Sequence, residues 1–177
     1  MLQAFALICA GAQSIDQNKL LAIAHQAIER EVRCELSQGY GTQTPARPVF
    51  VTIELNGVVL GCRGSLLARS TCLEEEVAQD ARAACAHDPR YRPLTLADLD
   101  RILVTVTVVS DQQPIASVEG LTPAEGLVLV SGSRTGVVLP WEGKDPRTRL
   151  DWAYRKAGVP KGSPVTLYRM TAERFRG

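Results

Sequence analysis

Residues 56–66 read NGVVLGCRGSL, which sets Cys62 and Arg63 between Gly61 and Gly64 directly after a strand-like run. A cysteine attacks only as its thiolate, and a cation such as Arg63 beside it would lower the thiol pKa. Backbone amides freed by a glycine turn would hold a developing oxyanion or a bound anion. A cysteine nucleophile also needs a base, and the chain has two histidines, His25 and His87. His25 sits in a helical pattern with no second ligand one turn away, so it reads as a solvated or core-edge residue. His87 opens HDPRYRP, a stretch whose Asp88, Arg90 and Tyr91 lie around two prolines and would form a rigid, cationic, aromatic recognition loop.

Two readings of these residues stay open. In one, the chain is a cysteine-dependent transferase or hydrolase with Cys62 as nucleophile and His87 as base. In the other, Cys62 is a small packed thiol. Gly61, Arg63, Gly64 and Ser65 then border a cleft, with Asp88, Arg90 and Tyr91, that takes a small anionic ligand or a partner's segment. The second is the leading expectation, because no complete catalytic set is visible.

Composition narrows the field. A net charge of +1 argues against binding nucleic acid through a broad basic surface. The arginines at 90–92 and 147–155 would have to converge on one face for that function to survive. Five cysteines without a CxxC pair suit reduced thiols in a reducing compartment, and the residues offer no metal-ligand set. No P-loop or dinucleotide fingerprint surrounds Gly132 or Gly136, and no cofactor is expected. The opening MLQAFALICAGA lacks the positive residues of a signal peptide and is shorter than the ~20 residues that span a bilayer. It is expected to form a buried strand or short helix in a soluble, cytoplasmic protein with no membrane association.

The elements that must position the chemistry are marked by local signals. Ser14 and Gln17 suggest a capping box for a first amphipathic helix, and Thr71 with Glu74 suggests another. The run Glu74–Glu76 then lies where a helix dipole favours negative charge. VFVTIEL reads as a strand, and Asn56-Gly57 fits a type I′ turn into VVL. RILVTVTVVS alternates Ile102, Val104, Val106 and Val108 with Leu103, Thr105, Thr107 and Val109, which predicts a central strand covered on both faces. Thr95 and Asp98 mark a short helix before it. GLVLVSGSRTGVVLP reads as a hairpin, Pro146 and Gly158 bound a helix, and SPVTLYRM supplies a last strand. Hairpins outnumber βαβ units, so the expected fold is α+β. Its sheet is mixed and mostly antiparallel, flanked by helices, within one domain over 1–177.

Taken together and in this order, KLLAIAHQAIE, VFVTIELNGVVLGCRGSL, AACAHDPRYRPLTLADLDRILVTVTVVS, EGLVLVSGSRTGVVLP and YRKAGV resemble the AMMECR1 domain family. The resemblance implies a major sheet-and-helix lobe, a minor lobe and a functional cleft near the glycine-cysteine motif, with Asp88 and Arg90 among the cleft residues. It implies no established reaction, and it implies association with a Memo-like protein and a radical-SAM protein. The family's motif carries arginine just before its first glycine, where this chain has Leu60; its arginine, Arg63, follows the cysteine instead.

Overall fold

In a computed structural model the described residues are 15–41, 44–143 and 145–177. The expected N-terminal strand or short helix and the capping role of Ser14 fall outside them. The element order is α1 (Gln17–Val32), β1 (Val49–Leu55), β2 (Val58–Gly64), α2 (Leu73–Ala86), a 3-10 turn (Leu96–Arg101), β3 (Ile102–Ile115), β4 (Gly126–Ser131), β5 (Arg134–Val138), α3 (Pro146–Ala157) and β6 (Thr166–Arg176). The strands form one curled sheet in the order β2-β1-β3-β6-β4-β5, and every pairing in it is antiparallel. The α+β expectation therefore holds, with β3 inside the sheet as its two apolar faces required.

Alternation along the strands sorts residues onto two faces. Val49, Val51 and Ile53 of β1, with Val104, Val106 and Val108 of β3, pack under the apolar sides of α1 and α2. Leu127, Leu129 and Val138 pack under α3 through Ala153 and Ala157. On the opposite, inner face, Phe50, Val109, Val128, Leu139 and Met170 form a third apolar cluster. That cluster does not extend to Thr105 and Thr107, which also lie on the inner face.

The caps show which local signals were sufficient. Asp145 accepts the amide of Thr148 with Pro146 at the first helical position, and Gly158 closes α3 at φ 66°. Thr95 and Asp98 form the reciprocal box. Asn56 and Gly57 turn β1 into β2 with φ 51° and 78°. Two helix starts differ from expectation. Asp16, directly before the first helical residue, caps α1 by accepting the Lys19 amide. Cys72, not Thr71, occupies the N-cap of α2, and its side chain makes no capping bond. The Leu73 amide donates instead to the Thr44 carbonyl, and the Glu76 carboxylate accepts the amides of Arg69 and Ser70 in the segment that leads into the helix.

Candidate functional site

The Gly61–Gly64 stretch is not a turn. It is the second half of β2, an edge strand, and neither glycine has a positive φ. The glycines serve close approach instead. A Cβ on Gly61 would collide with the carbonyl of Ala84, so the missing side chain lets α2 lie directly on β2. A Cβ on Gly64 would collide with the Phe50 ring and the Val49 carbonyl. Gly136 on β5 repeats the device, since a Cβ there would meet the Ala153 carbonyl of α3.

An edge strand leaves backbone donors and acceptors open. At Cys62 they are closed by the HDPRYRP loop. The Cys62 amide donates to Asp88 Oδ2 at 2.9 Å, and Arg90 donates to the Cys62 carbonyl at 2.8 Å. Arg90 also grips Asp88 through two guanidinium nitrogens, at 2.9 and 2.7 Å. The pair thus stands where another strand would. Burial alone would raise the Asp88 pKa. Hydrogen bonds from the Arg90 side chain and from the amides of Cys62 and Arg90 override it and hold the carboxyl at about 2. The same bond to Asp88 raises the Arg90 pKa. With its amide committed, Cys62 does not offer the free backbone donor that an oxyanion turn requires. The Ser65 amide is also taken, by the Val49 carbonyl at 3.0 Å.

The Cys62 side chain points the other way, onto the inner face. Thr52 Oγ1, its neighbour across β1, donates to Sγ at 3.2 Å. Burial pushes the thiol up, and the Thr52 bond only partly opposes it. Cys62 therefore rests as the thiol at neutral pH. His87, the expected base, caps the C-terminus of α2 with its ring on Glu31 of α1 at 3.3 Å, and 68% of its side chain is exposed. It lines neither the cleft nor the groove described below. Arg63 is exposed, follows Cys62 onto the opposite strand face, and lies near enough to Asp80 of α2 to lower that group's pKa.

The inner face carries a cleft of about 180 Å³. Thr52, Cys62, Thr105 and Thr107 form its floor, Arg90 and Tyr91 one wall, and the segment Leu139–Glu142 with Lys156 the other. The Arg90 guanidinium stacks on Tyr91, 5.4 Å from the ring centre. Glu54, paired with Arg176, and Arg174 stand at the inner end. Outward the cleft widens into an open groove between the edges of β2 and β5, bordered by Arg63, Gly64, Trp152 and Arg155. The structure thus brings Cys62, Arg90 and Tyr91 together at the cleft, with Arg63 and Gly64 at its mouth. Asp88 supports them from behind, and His87 is elsewhere.

Sequence reasoning missed Thr105, Thr107 and Arg174. The two threonines were visible as polar interruptions of an otherwise apolar strand. Arg174 offered no signal, because its cross-strand partner Thr107 lies 67 positions away in the chain. Trp141, 58% exposed, lines the cleft at φ 65°, whereas Trp152 packs with the α3 cluster. The arginine runs do not merge into one basic face. Arg92 pairs with Asp98, and Arg149 is fully buried, donating to the carbonyls of Thr122 and Glu125. Among the described residues no group of His, Cys, Asp and Glu could hold a metal ion, and no helix is long and apolar enough to cross a membrane.

A curled antiparallel sheet with flanking helices, an edge-strand cysteine clamped by an Asp–Arg pair and a cleft beneath it define the class of this α+β protein. The AMMECR1 family profile matches residues 14–177, and the chain belongs to that family. A Thermotoga maritima protein is 36% identical over 132 residues, covering 72% of this chain and 76% of its own. One from Aeropyrum pernix is 32% identical over 183 aligned residues, covering 91% and 78%. The crystal structure of the uncharacterized protein PH0010 from Pyrococcus horikoshii is similar at TM-score 0.77 and 25% identity, over 89% of each chain.

Proposed function

We propose that this AMMECR1-family chain is a binding or regulatory component whose inner-face cleft holds a small anionic ligand or an anionic segment of a partner. The observation that carries the reading is the lining of the cleft. It combines hydroxyls and arginines with a cysteine that burial keeps protonated, while the histidine that would activate the cysteine stands against Glu31. Such a surface is suited to holding an anion and is poorly equipped to transfer a group. The family resemblance extends the proposal to a cytoplasmic assembly with a Memo-like and a radical-SAM protein.

Two measurements test it. A thermal-shift screen of anionic metabolites and peptides should raise the melting temperature, and a stabilising compound should slow alkylation of Cys62 by iodoacetamide. No stabilisation by any anion removes the binding reading. The pH profile of Cys62 alkylation, followed on its own peptide by mass spectrometry, should have its midpoint above the ordinary thiol value of 9.0. A midpoint near or below neutrality would instead favour the cysteine-dependent enzyme, since an activated nucleophile is a thiolate at working pH.

A further inference from the structure

The Cys62 motif does not account for the inner end of the cleft. β3 lies inside the sheet, where inner-face positions would ordinarily be apolar, as Val109 is beside Phe50, Val128 and Met170. Thr105 and Thr107 occupy such positions instead. Thr105 is 3% exposed and its Oγ1 has no hydrogen-bond partner among the described residues. A valine would fit the same space without burying an unpaired hydroxyl, so an unpartnered threonine that lines a cleft calls for an explanation outside packing. Across β6, Arg174 stands directly opposite Thr107 and lines the same end. The Arg174 guanidinium makes no ion pair or hydrogen bond among the described residues; Glu54, which pairs with Arg176, acts on it only at longer range.

We propose that the inner end of the cleft is a carboxylate-binding subsite, in which Arg174 supplies the charge and Thr105 and Thr107 supply hydroxyl donors. This rests on the reading of the cleft as a ligand site and names the group that the site recognises. Arg174, Arg176 and Glu54 together leave one net positive charge at the inner end, which matches a monoanion. The guanidinium fork fits the two oxygens of a carboxylate, and a hydroxyl donates to the same group without adding charge. A phosphate dianion would leave excess negative charge beside the Glu54 carboxylate. The cleft is small, and the exposed indole of Trp141 with the Tyr91 ring borders the rest of it. The ligand class is therefore a small monocarboxylate with an apolar body.

Isothermal titration of the full chain with monocarboxylates from acetate to benzoate, each beside its neutral amide, tests the assignment. Inorganic phosphate serves as the competing anion. The carboxylates should bind, benzoate more tightly than acetate, and the amides and phosphate should bind at least about tenfold more weakly. Arg174→Gln and Thr105→Val should each weaken benzoate binding about tenfold or more, while Arg33→Gln, just past the end of α1, controls for net charge. Thr105→Val should melt no lower than the parent, because it removes a buried unpaired hydroxyl, and this separates loss of binding from loss of fold. Benzoate binding that survives both substitutions overturns the subsite. Binding lost in Arg63→Gln but kept in Arg174→Gln also overturns it, moving the anion to the outer groove and leaving the wider reading of the cleft intact. If no monocarboxylate binds to folded protein, the subsite falls, and the thermal-shift screen with Cys62 protection decides the wider reading separately.

Discussion

Two neighbouring residues of β2 show how different the demands on adjacent positions are. Gly61 is fixed by the Ala84 carbonyl above it, so any side chain must push α2 off the strand. Gly61→Val should cost about 3 kcal/mol or more in denaturant unfolding, at the upper end of overpacking penalties, because a backbone carbonyl cannot rotate aside as a side chain can. Cys62→Ser, by contrast, keeps the size of the side chain and the hydrogen bond to Thr52, and should cost about 1 kcal/mol. Equal costs for the two would mean that β2 and α2 are not in the contact described. The special nature of Gly61 was legible in the sequence, but its cause was not. A glycine between a strand and a cysteine reads as a turn, and only the packing of a helix more than twenty positions later makes it a contact point. The pairing of Arg174 with Thr107 was hidden for the same reason, since strand partners distant in sequence leave no local signature.

At the scale of elements, the HDPRYRP loop acts as a substitute strand on the edge of the sheet. Asp88 is the residue that matters most there: its side chain is 1% exposed, and it accepts both the Cys62 amide and the Arg90 guanidinium. Asp88→Asn places an amide where two donors converge, and should lower stability by about 2 kcal/mol in urea unfolding at pH 7, the range for a hydrogen bond to a charged group. The sign of its pH dependence follows from the depressed carboxyl. Native Asp88 titrates at about 2 and an unfolded aspartate near 3.8, so its contribution is present above 3.8 and lost as pH falls toward 2. The penalty of Asp88→Asn should therefore shrink on acidification through that window. A penalty that stayed constant down to pH 2 would show that the charge is not what holds the loop. Elements with local signals were readable: the Asn56-Gly57 turn, the Thr95–Asp98 box, and the Asp145-Pro146 start and Gly158 stop of α3. Those set by tertiary contact were not. β6 runs to Arg176, well past the expected SPVTLYRM, because β3 is there to pair with it. The approach to α2 is held by Glu76, which accepts the amides of Arg69 and Ser70, and by the Thr44 carbonyl, which accepts the Leu73 amide; no capping pattern encodes either.

The stability of the whole molecule should carry the mark of one buried group that no functional argument uses. Asp80 of α2 lies beside Glu76 beneath the guanidinium of Arg69, with Arg63 of β2 the further charge acting on it. Its side chain is 1% exposed. Burial raises its pKa to about 6, against hydrogen bonding and charge from Arg69 that pull it down, while Glu76 adds to the rise. The folded protein thus holds this proton at pH values where the unfolded chain has released it. Its favourable contribution is complete below the unfolded value of 3.8 and disappears as pH rises through 6. Across that window the wild-type unfolding free energy should lose about 2 kcal/mol from this group. The groups with lowered pKa, Glu74, Asp88 and Asp98 among them, act in the opposite sense and at lower pH. Their contributions are lost only as pH falls below the ordinary carboxylate range. Asp80→Asn removes the titration while keeping a group of the same shape under Arg69. Urea unfolding at intervals from pH 4 to pH 7.5 should then show the mutant's curve flatter than the parent's between about 4 and 6, with the two parallel above pH 7. Curves that stay parallel over the whole range would place the proton on another group and leave the Arg69–Asp80 pair fully ionised throughout.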